Sequence, residues 1–137
     1  MIGRERPPAE EAALLAFGRQ IGLAFQLLDD VLDVLGPPER TGKARGTDLL
    51  DGTVTLPLIR AIEQDPELGR IDLRALDEAG AEQVCDRIAA TGAPEQVRAE
   101  ARERVALAKA GLEQASLPAE DLVMLATVAD GVVERYS

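Results

Sequence analysis

Histidine and tryptophan are absent from this chain of 137 residues, and cysteine occurs once. Without histidine there is no imidazole to move protons near neutral pH and no imidazole metal ligand. The single thiol, Cys85, excludes an intrachain disulfide and a thiolate cluster; inside a helical pattern it reads as a small buried apolar residue. Any metal should therefore be a hard cation held through oxygen. Aromatic residues make up 2%, which leaves a core of Leu, Val, Ile and Ala, a composition that favours helices. No apolar run approaches the roughly eighteen residues of a membrane-spanning helix. Arg4-Glu5-Arg6-Pro7-Pro8 also lacks the apolar centre of a signal peptide. A soluble, cytoplasmic chain with no stable membrane insertion is expected. Positive charge is scarce as well: 15 basic residues against 25 acidic ones leave a net charge of −10. That field repels nucleic acid and anionic lipid, so no nucleic-acid partner is expected, and a phosphorylated ligand would need metal or local cations.

Hydrophobic residues at 46% and charged residues at 29% describe a globular chain. Its length suits one helical domain over residues 1–137. Pro7-Pro8 followed by Glu10 and Glu11 opens a helix expected from Ala9 to Leu35, which Gly36-Pro37-Pro38 stops. A Gly-, Pro- and Thr-rich loop follows from Gly36 to Gly52, with a helical turn at Thr47 to Leu50. Further helices are expected over 53–64, Asp72–Ala79, Ala81–Ala90 and Pro94–Ala115, and from Ala119 to Glu134. The fourth of these should turn Val97, Ala101, Val105, Ala108 and Leu112 inward. The last is apolar through Leu122, Leu125, Val128, Ala129, Val132 and Val133. No strand pattern or internal repeat appears, so the fold class is all-α, a helical bundle.

The first helix contains Phe-Gln-Leu-Leu-Asp-Asp-Val-Leu-Asp from Phe25 to Asp33. Gln26, Asp29, Asp30 and Asp33 stand at i, i+3, i+4 and i+7, one stripe of a helix, among residues that are otherwise apolar. The helix should thus be buried on most sides. Carboxylates on such an edge must face a wet cleft, take up protons or bind a cation. As a cation site, a short open stripe suits Mg²⁺, which keeps waters and takes one or two carboxylates, better than Ca²⁺. A solvated acidic edge is the simpler alternative.

The loop adds Thr41-Gly42-Lys43, Gly46-Thr47-Asp48-Leu49 and Gly52-Thr53-Val54-Thr55-Leu56-Pro57 in order. With the Asp helix, these motifs resemble the second aspartate-rich half of the trans-type polyprenyl diphosphate synthases, over roughly residues 9–64. The resemblance implies a partial isoprenoid-synthase fold and a prenyltransferase that joins an allylic diphosphate to isopentenyl diphosphate in isoprenoid biosynthesis. In that family the allylic diphosphate is held by magnesium between two facing aspartate-rich helices. By similarity, Asp29 and Asp30 would be Mg²⁺ ligands, with Asp33 a weaker or water-mediated participant. Lys43 would contact the allylic diphosphate, Gln26 and Phe25 would line the isopentenyl side, and Asp48 would organise the loop. Thr53 stands where some relatives carry a second lysine. Asp29-Asp30 is the only Asp-Asp pair in the chain, so the first motif of the family is missing. Three readings follow: a truncated chain inactive alone, a short subunit of a heteromeric synthase, or a non-catalytic helical interaction protein. The first implies an exposed apolar face, and hence self-association or a covering partner chain.

Overall fold

In a computed structural model describing residues 8–36 and 45–135, every regular element is helical. Helix α1, Pro8–Leu35, starts on a proline whose fixed φ suits a first turn and carries Glu10 and Glu11 there. It stops at Gly36, where φ is +49° and the N–H donates to Leu32 O at 2.7 Å. The short helix α2, Thr47–Leu50, lies where the sequence placed a turn.

Helix α3, Leu56–Gln64, begins three residues later than expected. A helix reaching back to Thr53 would need the N–H of Pro57 to bond that residue's carbonyl, and proline has none. Thr55 stays extended, with φ −116° and ψ 163°. The helix expected over 72–79 is also absent. Two 3₁₀ turns, Pro66–Arg70 and Leu73–Ala75, take up this stretch. The Asp72 carboxylate accepts the N–H of Arg74 at 3.0 Å, and that of Asp77 accepts the N–H of Gly80 at 2.7 Å. Each aspartate captures a nearby amide locally, so Asp77 acts as the N-cap from which α4, Glu78–Ala90, departs. Helix α5, Ala93–Gln114, and helix α6, Ala119–Arg135, match the expected ranges to within a residue or two.

The chain divides into two compact units. One runs from Gln26 to Ala99; the other takes the chain up to Phe25 together with Glu100 onward. In the first, Val34, Leu49, Leu58, Leu68, Val84, Cys85 and Ile88 form a buried cluster, with Ile62, Ile71 and Leu76 packed against it. Helix α3 rests on the first 3₁₀ turn and on α4, and α2 rests on α4 and the second turn. The Arg87 guanidinium forks onto Asp65 at 2.5 and 2.8 Å and reaches Glu67 at 2.9 Å, tying α4 to the start of the first turn.

In the second unit Ala101, Val105, Ala108 and Leu112 of α5 are buried, as the periodicity requires. Lys109 pairs with Asp130 of α6 at 2.7 Å, and Arg104 donates to Gln20 of α1 at 3.3 Å. In helix α6, Ala129 alone of the apolar series is fully buried, and Val128 is 51% exposed. Helix α1 departs from expectation. Leu15, Leu23 and Phe25 are 57%, 50% and 41% exposed, so it is not buried on most sides. Apolar composition marks which residues can be covered, and these three are covered only in part.

Candidate functional site

The polar stripe of α1 is graded in burial. Gln26 is exposed, Asp29 and Asp30 are half-buried, and Asp33 is 3% exposed. Gln26 Nε2 donates to Asp30 Oδ1 at 2.9 Å, one turn along, which holds the amide in the line of the stripe. At the inner end, Asp33 Oδ2 accepts the backbone N–H of Asp48 at 3.1 Å, and the Asp33 carbonyl accepts the N–H of Gly46 at 2.8 Å. Asp33 thus anchors the returning loop with both its side chain and its backbone. Among the described residues no three His, Cys, Asp or Glu side chains converge as a metal cage. The three aspartates share a helix line without sharing one point. Phe25 precedes the stripe and is partly open. Lys43 lies outside the described residues.

The loop returns under tight constraint. Gly46 has φ +84°, and a methyl group there would stand 3.2 Å from Ala81 Cβ and 3.3 Å from Cys85 Sγ. Only glycine meets both conditions without strain. Burial pushes the Cys85 thiol up to about 11, so it is a packing residue rather than a nucleophile. Thr53 N–H donates to Asp48 O at 2.8 Å, closing the turn after α2.

Arg45 is the residue that sequence reasoning missed. Its Nε donates to Glu82 Oε2 at 2.7 Å, and Nη2 donates to Asp86 Oδ1 at 2.6 Å and to the Glu82 carbonyl at 3.3 Å; Nη1 points at Val34 O at 3.5 Å. The hydrogen bonds to Glu82 and then Asp86 hold its guanidinium above the usual arginine range. Its carboxylate partners lie 37 and 41 residues away, beyond any local spacing signal.

Comparison with known proteins gives this helix and loop a context. The family model of polyprenyl synthetase matches residues 1–90. The chain belongs to the polyprenyl synthetase family. It is 38% identical over 132 residues to a short chain isoprenyl diphosphate synthase of Methanothermobacter thermautotrophicus, covering 93% of this chain and 40% of that protein. It is 37% identical over 111 residues to the octaprenyl diphosphate synthase of Escherichia coli, covering 77% and 34%. The crystal structure of a polyprenyl synthase from Caulobacter crescentus, complexed with calcium and isoprenyl diphosphate, superposes with a TM-score of 0.81 at 34% identity over 96% of this chain and 42% of that one. A geranylgeranyl pyrophosphate synthase of Corynebacterium glutamicum, complexed with isoprenyl diphosphate and magnesium, gives 0.79 at 34% identity over 94% and 38%. The chain thus spans about two fifths of the length of these relatives. Its all-α architecture is that of the isoprenoid synthases.

Proposed function

We propose that the chain supplies one wall of the diphosphate cleft of a polyprenyl diphosphate synthase, a prenyltransferase that condenses an allylic diphosphate with isopentenyl diphosphate. The observation that carries this is the graded stripe: Asp29 and Asp30 remain partly open to solvent while Asp33 is sealed beneath the loop. The donor set fits magnesium. It consists of hard carboxylate oxygens only, two of them accessible, as suits a cation that keeps waters and completes its shell with substrate phosphate. Structural neighbours complexed with calcium or magnesium and isoprenyl diphosphate support the same reading.

In this proposal Asp29 and Asp30 are the cation ligands and Asp33 organises the loop. Bound Mg²⁺ would supply neutralisation of the charge on the diphosphate. Gln26 orients Asp30 and presents its remaining amide capacity to the substrate side. Phe25 lines that side, and Lys43, by family resemblance, adds a point charge toward the allylic diphosphate. No helix of the described residues is long and apolar enough to cross a membrane, and we place the protein in the cytoplasm.

Leu15 and Leu23, 57% and 50% exposed, each forgo about half of a full side-chain burial, roughly 1 kcal/mol, and an apolar face of this kind favours a covering surface. We assign that role to a second chain or copy, which also accounts for the need for an opposing aspartate-rich wall. The test is pyrophosphate release with Mg²⁺, isopentenyl diphosphate and an allylic diphosphate. This chain alone should be silent, and addition of a family segment carrying another Asp-Asp-x-x-Asp helix should start turnover. Turnover by the chain alone would refute the requirement for a second wall, and silence of the mixture would refute the assigned activity.

A further inference from the structure

We infer that Arg45 is a positioning residue for the acidic end of α1: by forking onto Glu82 and Asp86 of α4 it fixes the chain segment whose Gly46 and Asp48 amides hold Asp33. The inference rests on the proposed diphosphate site for its functional consequence, and on geometry alone for its structural part.

The linkage is continuous. The Arg45 guanidinium spans two carboxylates one helical turn apart on α4, at 2.7 and 2.6 Å, a match its planar fork makes and a lysine cannot. The Arg45 side chain is 18% exposed while Glu82 and Asp86 are 48% and 72% exposed, so the fork is anchored on the protein surface and owes its hold to geometry rather than to burial. The next residue, Gly46, is pressed against Ala81 and Cys85 of the same helix and donates to Asp33 O. Two residues on, Asp48 N–H donates to Asp33 Oδ2. Helix α4 is remote in sequence from the stripe, yet through this segment it bears on where Asp33 is clamped. Asp29 and Asp30 lie on the same helix, one turn before that clamp.

Positioning and plain charge predict opposite signs for one pair of variants. Removing a cation by Arg45→Ala should weaken anion binding on either account. Removing two anions by Glu82→Gln/Asp86→Asn should strengthen it if only the local field matters, and weaken it if the fork positions the loop.

The experiment measures amide hydrogen exchange at Gly46 and Asp48, and Mg²⁺-dependent pyrophosphate affinity by calorimetry, in the full chain and both variants. The expected result is lost protection at both amides in both variants. Affinity should fall about ten- to a hundredfold in each, the range seen when residues behind metal ligands are removed. Arg45→Lys should recover only part. Unchanged protection, or affinity shifts of opposite sign, would overturn the inference. If the wild-type chain binds no pyrophosphate, the site proposal fails and the amide protection decides the positioning claim by itself. If Arg45→Ala does not fold, the Glu82→Gln/Asp86→Asn variant decides it.

Discussion

The side-chain carboxylate of Asp33 accepts the backbone N–H of Asp48 at 3.1 Å, across fifteen residues of chain, in a place where Asp33 is almost wholly buried. This contact converts the last acid of a helical stripe into the anchor of a loop. Replacing Asp33 with Ala should destabilise the protein by about 1–3 kcal/mol, because the Asp48 N–H loses its acceptor. Asp33→Asn keeps an acceptor oxygen and should lose much less. Urea unfolding of the two variants checks this; equal losses would mean that the contact is not what the carboxylate contributes.

Gly46→Ala combines a left-handed backbone with a methyl at 3.2 Å from Ala81 Cβ. A non-glycine residue held in that region costs of order 1–3 kcal/mol. A lowered thermal midpoint is expected, and an unchanged one would show that the loop relaxes away from α4.

Much of this was legible in the sequence. Helix α1 was bounded by Pro8 and Gly36, the α2 turn followed from Gly46-Thr47-Asp48, and the buried face of α5 followed from its period. The stripe Gln26, Asp29, Asp30, Asp33 was readable as a line, because helical spacing fixes direction around an axis. What spacing does not encode is which end of a line another segment covers, so the burial of Asp33 was not foreseeable. The 3₁₀ turns were missed because Asp72 and Asp77 spend their carboxylates on local amides, an outcome that an apolar period cannot register. Which residues of α1 stay open was not readable for the complementary reason: apolar character says that a face can be covered, not which part of it is.

The Arg87 guanidinium, chiefly through its hydrogen bonds, holds the Asp65 carboxyl below the usual carboxylate range. A depressed acid stabilises the fold above its unfolded value, near 3.9, and that contribution disappears as pH falls through the lower folded value. Thermal midpoints of the wild type and Asp65→Asn should therefore differ above about pH 4 and converge in stronger acid. A constant gap across that range would contradict the ion pair as its source.

Cys85 is fully buried, with its thiol raised to about 11. Thiol-specific reagents at pH 8 should leave the native protein unlabelled and react stoichiometrically once urea unfolds it. Rapid labelling of the folded chain would place the α2–α4 contact among its loosely held regions.

The central claim is that the open part of the stripe, Asp29 and Asp30, is a magnesium-dependent diphosphate site. Calorimetric titration of pyrophosphate with and without Mg²⁺, on the wild type and on Asp29→Asn/Asp30→Asn, tests it most directly. The account predicts binding by the wild type only when Mg²⁺ is present and loss of that binding in the variant. Equal binding by both proteins, or binding indifferent to Mg²⁺, would contradict it.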